Sequence, residues 1–237
     1  MARNYIVIDT EGVDTVTREQ NDGVHAETSL FYDLGFAVVS GADGSIIEEY
    51  SFINSDVFFN NELMTSAYYA NKLPKYRLGM GTKWQVANTK TIMDIFADAC
   101  KRHNVKHVWA YNSRYDKDIT QNTVSVMSNG FKSFFTPYGT EWRDIWDYAG
   151  STICNTRKYV KWCIDNGYMS AKGNPSTSAE TVYRYITKDN SFKESHTALE
   201  DVHIELQILQ AAKKRKQKAR KTRGHGWRDA SKIAKSM

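Results

Sequence analysis

Three β-rich runs follow one another at the start of the chain with no helical pattern between them. They cover residues 5–8, 29–39 and 45–53, and the last two are joined by Gly41-Ala42-Asp43-Gly44. Such a Gly/Asp-containing tetrapeptide between two strand-like runs is a hairpin signal. We therefore expect three sequential strands with antiparallel connections, which restricts the fold to one built on a partly antiparallel sheet.

Strands and helices alternate in the rest of the chain. Further strands are predicted at residues 106–111 and 142–145, and residues 54–84 are interpreted as an irregular insertion because they show no period. Helices are predicted at residues 86–102, 114–128, 156–165, 178–186 and 196–218. A strand meander followed by alternating strands and helices indicates a mixed sheet covered by helices, an α/β arrangement.

Charge divides the chain into two parts. Residues 213–237 contain eleven Lys or Arg against the single acid Asp229, a net charge of +10, whereas residues 1–212 carry −5. The pattern predicts one domain over residues 1–212 and a flexible basic tail over residues 213–237. Such a tail is suited to nucleic-acid phosphates, and the alternative is a solvated, disordered end.

Several protein classes are disfavoured by composition. No run approaches the roughly 18 apolar residues of a membrane span, and the amino terminus lacks the apolar region of a signal peptide. The three cysteines, Cys100, Cys154 and Cys163, form no CxxC pair, so no disulfide framework or four-cysteine zinc site is indicated. We expect a soluble, cytoplasmic protein that does not bind membranes.

Four acidic residues follow apolar or aromatic stretches. Asp9 and Glu11 lie two apart at a strand end, so strand alternation places them on one face. Asp116 lies where a strand gives way to a helix, and Asp201 lies one turn into the last helix, five residues after His196. Each signal alone has an ordinary explanation, since a single DxE is often a structural accident and Asp116 suits a helix amino terminus.

Together, these residue types fit phosphodiester hydrolysis. Buried carboxylates need positive compensation, and oxygen ligands suit Mg²⁺ or Mn²⁺. Two such ions about 3.5–4 Å apart stabilise the attacking and leaving oxygens, while a histidine takes the proton from water. His103 and His107 have a zinc-like spacing, but they straddle a helix-to-strand junction, which makes a zinc site there a weak alternative.

Three motifs carry a resemblance to a known family. Asp9-Thr10-Glu11, Asn112-Ser113-Arg114-Tyr115-Asp116 and His196-Thr197-Ala198-Leu199-Glu200-Asp201 resemble, in order, the exonuclease motifs of the DEDD superfamily. The His-x4-Asp spacing is similar to that of the histidine branch (DEDDh), which includes the proofreading epsilon subunit of bacterial DNA polymerase III and RNase T. The resemblance covers about residues 4–212 and leaves the basic tail outside it.

The resemblance implies a ribonuclease H-like fold, with five strands in a mixed sheet and the second strand antiparallel to the others. It also implies that two divalent cations, Mg²⁺ or Mn²⁺, are held by Asp9, Glu11, Asp116 and Asp201. Glu11 and His196 would act in catalysis, with His196 as the general base. Asp144 would have a structural role, and the residues implied in substrate binding are Thr10, Gly12, Val13 and Asn112.

Two regions depart from the family pattern. Many relatives continue the first motif with Thr-Thr-Gly or Ser-Thr-Gly, whereas here Gly12-Val13 leads into a polar stretch that reaches residue 28. Residues 54–88 contain no motif that aligns. Since both regions would shape the substrate groove, the choice between DNA and RNA stays open, as do the biological role and the oligomeric state.

The expected activity is 3′→5′ exonucleolytic release of nucleoside 5′-monophosphates from DNA or RNA. The partner would be a nucleic acid with a 3′ end, and a polymerase or another replication protein is a further candidate. One alternative is a catalytically silent binding protein that stacks bases on the aromatic residues Tyr68, Tyr69, Trp84 and Phe135. Another alternative is a two-metal endonuclease of the same fold class.

Overall fold

The computed structural model describes residues 3–15, 28–215 and 226–237. The strands within these ranges are β1 (Tyr5–Asp14), β2 (Ser29–Val39), β3 (Ile46–Asn54), β4 (Gln85–Ala87), β5 (His107–Ala110) and β6 (Glu141–Asp144). The helices before β6 are α1 (Ser55–Phe58), α2 (Asn61–Met64), α3 (Leu73–Gly79), α4 (Thr89–Arg102) and α5 (Ser113–Met127). Those after it are α6 (Ile145–Ala149), α7 (Arg157–Asp165), α8 (Ala179–Thr187), α9 (Ala198–Lys214) and α10 (Gly226–Lys235). A 3-10 helix spans Ala70–Lys72 and a π-helix spans Gly150–Cys154.

The strands form one mixed sheet in the order β4-β3-β2-β1-β5-β6. Strand β2 runs antiparallel to both β1 and β3, while β5 is parallel to β1. This arrangement confirms the predicted α/β class and the antiparallel second strand. The described part of the sheet has six strands rather than the expected five, because the three-residue β4 adds to β3 in parallel. So short a strand leaves no detectable period in the sequence.

Strand β1 is longer than its apolar run. It continues past Ile8 to Asp14 because β2 supplies a pairing partner along the whole length, from Tyr5 opposite Val39 to Asp14 opposite Ser29. The register shifts between Glu11 and Gly12, which marks a β-bulge. Bulges bend a strand and re-aim its side chains. The acidic residues of the first motif therefore lie inside the sheet, next to this irregularity, and not beyond its end.

The described residues divide into two compact units. The first contains Met1–Trp109, Arg114–Arg143 and His196–Val202, and it includes strands β1 to β4 and helix α4. The second contains Ala110–Ser113, Asp144–Ser195 and His203–Met237. The single domain expected over residues 1–212 stays a prediction.

The last helix belongs to the second unit. Helix α10 packs against α6, α7 and the π-helix, and Ala230 is fully buried there. Over residues 226–237 the expected flexible tail is therefore corrected to a packed helix. Ala230 and Ser231 are both buried, and their small side chains let α10 pack closely against its neighbours. Residues 216–225, which hold much of the predicted basic tail, lie outside the described residues.

In the described part of the chain, no helix is both long enough and apolar enough to cross a bilayer.

Candidate metal centre

Three of the predicted site residues converge in the first unit. One ligand atom from each of Glu11, His196 and Asp201 lies within 4.8 Å of the other two. Glu11 is only 7% exposed and Asp201 only 4%, whereas His196 is half-buried. Two carboxylates and one imidazole at such separations form a donor set that could hold a divalent metal ion.

Asp201 lies on the first turn of helix α9 and His196 lies two residues before it, and Asp33 of β2 fixes the amino terminus of that helix. The Ala198 N–H donates to Asp33 Oδ2 over 2.8 Å, and the Asp201 N–H donates to the Thr197 carbonyl over 3.0 Å. His196 precedes the helix with a left-handed backbone, φ +52°. The Asp33 carboxylate on β2 therefore caps the amino terminus of α9. Asp33 also pairs with Glu11 in the β1–β2 register, so one residue links both elements of the site.

Asp33 was not predicted from the sequence. It is completely buried, and it accepts a second hydrogen bond from the Tyr76 hydroxyl over 2.6 Å. Burial raises the pKa of Asp33 to about 6, an effect that the hydrogen bonds from Tyr76 and Ala198 partly oppose. The available signal was a single acid within an otherwise apolar and aromatic strand, since such a residue needs a partner elsewhere.

Helix α9 can approach β2 closely because residue 35 is glycine. A Cβ at Gly35 would lie 2.3 Å from the Leu199 nitrogen and 2.6 Å from the Ala198 carbonyl carbon. Both obstacles are backbone atoms that cannot rotate away. The first turn of α9, and with it Asp201, therefore reaches the sheet only over a residue without a side chain.

Asp9 and Asp116 lie near this group but are not members of it. The Asp116 carboxylate is buried and accepts from the Thr10 hydroxyl over 2.9 Å. Asp9 is half-buried, two residues before Glu11 on β1. Burial and then the charges of Asp116, Glu11 and Asp9 raise the pKa of Tyr115. Their assignment as metal ligands stays a prediction.

The residues predicted to bind substrate in the first motif make contacts within the protein. The Thr10 hydroxyl donates to Asp116, and the Gly12 carbonyl accepts from the Tyr68 N–H over 3.4 Å. Val13 is fully buried in a hydrophobic cluster with Tyr76 and Trp84. These contacts give all three residues a structural role, and their contact with a substrate stays a prediction.

Asn112 lies in the second unit and has a left-handed backbone. It has φ +63°, and its N–H donates to Asp144 Oδ1 over 3.2 Å. The same Asp144 oxygen accepts from the Asp147 N–H at the start of α6. Asp144 therefore holds a turn and a helix start together, as a structural residue does. The predicted contact between Asn112 and a substrate is not tested by these bonds.

Two of the aromatic residues named for base stacking are buried. Trp84 and Phe135, named as stacking aromatics, are each only 2% exposed and pack in the core of the first unit. Glu205 is also buried, in the second unit, and accepts from the Tyr111 N–H over 3.1 Å. Long-range packing decides such burial, which is why the local pattern did not show it.

The zinc alternative finds no support in the described part of the chain. His103 Nε2 lies 3.2 Å from a Glu48 oxygen and His107 Nδ1 lies 3.6 Å from a Glu141 oxygen. Neither histidine belongs to a group of three ligand side chains among the described residues. Both contacts are pairings with single carboxylates.

The sheet order, the antiparallel second strand and the helices around the sheet define the ribonuclease H-like exonuclease fold. Solved structures of similar fold include E. coli Exonuclease I in complex with a dT13 oligonucleotide, with a TM-score of 0.55 and 15% identity over 90% of this chain and 42% of that one. A zinc-bound complex of E. coli Exonuclease I with single-stranded DNA gives 0.55 and 15% over 91% and 41%. A complex of Exonuclease I with SSB-Ct gives 0.53 and 15% over 91% and 42%.

This chain spans about two fifths of the length of Exonuclease I. At this level of identity the likeness establishes the fold. No protein-family model matches the chain, and no curated protein matches it in sequence.

Proposed function

We propose that this protein is a metal-dependent 3′→5′ exonuclease of the DEDD type, histidine branch, which releases nucleoside 5′-monophosphates from nucleic acid. The observation that carries the proposal is the convergence of Glu11, His196 and Asp201 within 4.8 Å of one another. These residues come from two distant motifs, and nothing in the packing of a β-strand and a helix requires two acids and an imidazole to meet. The ribonuclease H-like fold supports the same conclusion.

The roles follow from the donor atoms. Glu11 and Asp201 would hold one cation through carboxylate oxygens, and Asp9 and Asp116 would contribute to a second. Two bound Mg²⁺ or Mn²⁺ ions would supply charge stabilisation for the attacking and leaving oxygens. His196 would accept the proton of the attacking water on a ring nitrogen.

The proposed substrate is a single strand with a free 3′ end, and DNA is the first substrate to test because the similar Exonuclease I structures hold dT13 and single-stranded DNA. A role in replication or repair, with a polymerase or another replication protein as partner, belongs to the same proposal. The Exonuclease I complex with SSB-Ct makes single-strand-binding proteins reasonable candidates as well.

The test uses the Glu11→Gln and Asp201→Asn variants with oligonucleotides labelled at the 5′ or the 3′ end in the presence of Mg²⁺. Wild-type protein should shorten the strand stepwise from the 3′ end, and each variant should lose at least about 100-fold in kcat because a ligand carboxylate is lost. Calorimetric titration with Mn²⁺ should show weaker binding by both variants.

Asp94→Asn is the matched control, since Asp94 is an exposed carboxylate that pairs with Lys90 and does not belong to the candidate ligand group. It should retain wild-type turnover. Internal cuts would indicate an endonuclease, and tight binding without products would indicate a silent binding protein. Either result, or near-wild-type turnover by Asp201→Asn, overturns the proposal.

A further inference from the structure

We propose that residues 55–84, here called the insertion, clamp the segment that carries His196, and that Tyr69 is the positioning residue for the imidazole. The inference rests on the proposed function, because the orientation of the His196 ring affects the rate only if His196 is the general base. It goes beyond the family resemblance, since the insertion contains no motif that aligns. Three separate contacts link the insertion to residues 196–200.

The first contact is a ring stack on His196 itself. The rings of Tyr69 and His196 lie parallel, with an interplanar angle of 9° and centroids 4.1 Å apart. A stacked phenol restricts rotation of the imidazole about its side-chain bonds. Restriction matters here because His196 lies before α9 in a left-handed backbone conformation, outside the regular hydrogen bonding of that helix.

Tyr69 is in turn held against β1. The preceding residues, Ser66 to Tyr68, pair with the end of that strand just beyond Glu11. The Ser66 hydroxyl donates to the Asp14 carbonyl over 2.7 Å, and the Tyr68 hydroxyl donates to Asp14 Oδ2 over 2.9 Å. Val13 and Ala67 form an antiparallel bridge between these hydrogen bonds. The segment that precedes Tyr69 is therefore anchored to β1, the strand that carries Glu11.

The second contact is electrostatic and lies on the first turn of α9. Lys75 and Lys83 of the insertion both pair with the Glu200 carboxylate, Lys75 over 3.1 Å. The same carboxylate accepts from the Thr197 hydroxyl over 2.7 Å. Glu200 thus ties the residue that follows His196 to two cations of the insertion.

The third contact is buried. The Tyr76 hydroxyl of the insertion donates to Asp33, which also accepts from the Ala198 N–H. Tyr76 is itself fully buried and packs against Tyr32, Phe58 and Trp84. The insertion therefore shares a packed hydrophobic cluster with the strands. This packing provides a rigid support for the three contacts.

The physical consequence is a pre-organised proton acceptor. A histidine that samples several ring orientations presents its nitrogen to the attacking water for only part of the time, and misplacement by about 1 Å can cost on the order of 100-fold in rate. The clamp removes that freedom before substrate arrives. It should therefore act on kcat and leave substrate affinity almost unchanged.

The experiment compares Tyr69→Ala, Tyr69→Leu and Tyr69→Phe in the full-length protein. Loss of the ring in the Ala and Leu variants should lower kcat by about 10- to 100-fold with KM within about threefold of wild type. The Phe variant keeps the stack and should stay within about twofold. Leu retains apolar volume, so a melting temperature close to wild type would separate loss of the stack from loss of folding.

A second readout does not depend on turnover. The His196 ring protons, assigned in NMR spectra with the His196→Gln variant, should lie upfield because the Tyr69 ring shields them. The shift should be retained in Tyr69→Phe and lost in Tyr69→Ala and Tyr69→Leu. If the protein proves not to be a nuclease, this measurement still tests the clamp by itself.

The lysine contacts give an independent check. Replacing both Lys75 and Lys83 with Met should lower kcat in the same direction as Tyr69→Leu, whereas Lys90→Met, which removes an exposed cation paired with Asp94, should not. An unchanged His196 ring shift in Tyr69→Leu overturns the inference. A rise in KM as large as the fall in kcat for that variant also overturns it, because the ring would then contribute to substrate binding and not only to the orientation of His196.

Discussion

Asp33 shows at the residue scale how one buried carboxyl group links three elements. It lies opposite Glu11 in the sheet, caps α9 at Ala198 and accepts from Tyr76. A buried carboxyl group is costly when ionised, which is why its pKa lies at about 6 and not near the ordinary 3.8. The positive charge of Lys83 opposes this rise and the negative charge of Glu200 adds to it, although burial has the largest effect.

Asp33→Asn tests that assignment through the pH dependence of stability. A carboxyl group with a raised folded-state pKa stabilises the fold while protonated, below the unfolded value near 3.8, and this contribution is lost as pH rises through about 6. Relative to the Asn variant, the wild type should therefore lose about 3 kcal/mol between pH 3.5 and 6.5. Urea unfolding at pH steps across this range measures the difference.

Asp94→Asn is the control for this series, because Asp94 is exposed. It should show no comparable trend. A constant difference in unfolding free energy between wild type and Asp33→Asn across the range would contradict a raised pKa.

At the scale of elements, the approach of α9 to β2 decides whether the candidate metal centre forms. The helix crosses the strand at Gly35, where only a hydrogen fits beneath Leu199 and Ala198. The strands and main helices follow from local patterns, and β2 was predicted with its observed bounds, Ser29–Val39. Strand β4 and the π-helix were missed, because a three-residue strand and a five-residue turn carry too few residues for a period.

Gly35→Ala should disrupt this crossing more than Gly12→Ala disrupts its own surroundings. At Gly35 the new Cβ meets helix backbone at 2.3 Å, whereas at Gly12 the nearest atom, at 2.6 Å, is the end of the Ile119 side chain, which can rotate. We expect Gly35→Ala to lower the free energy of unfolding by about 3 kcal/mol and Gly12→Ala by about 1 kcal/mol.

Chemical denaturation of both variants gives the comparison, and Mn²⁺ titration of the folded fraction extends it. Gly35→Ala should also weaken metal binding, since the displaced helix carries Asp201. Equal stability losses in the two variants would show that the helix backbone yields as easily as a side chain.

For the whole molecule, the uneven distribution of charge is the main feature. The chain carries 32 Lys or Arg and 27 Asp or Glu, yet the excess of cations lies after residue 212. Helix α10 buries one side of residues 226–237 while Arg228, Lys232 and Lys235 stay exposed. Deleting the whole region would therefore remove packing together with charge, and charge substitution is the cleaner test.

Replacing Lys216, Lys218, Arg220, Lys221 and Arg223 with Gln should weaken binding to single-stranded DNA and reduce its salt dependence. Each lost phosphate contact removes about 0.7 from the slope of log K against log salt concentration, so the loss of three or four contacts among these five cations reduces the slope by about 2 to 3. Fluorescence anisotropy at several salt concentrations measures the slope. The variant Lys90→Gln/Lys101→Gln/Lys117→Gln is the control, and an unchanged slope in the first variant would assign this region another role.

The sequence by itself determined the α/β class, the antiparallel second strand and the identity of Glu11, His196 and Asp201 as candidates. Local periodicity and short motifs encode these properties, because strand alternation and helix spacing act over a few residues. Tertiary structure alone decided that Asp33 caps α9, that Tyr69 stacks on His196, and that Trp84 lies in the core. Those contacts join residues that are far apart in the chain. Their partners depend on how the helices and strands pack, and the residue spacing within one segment carries no information about that packing.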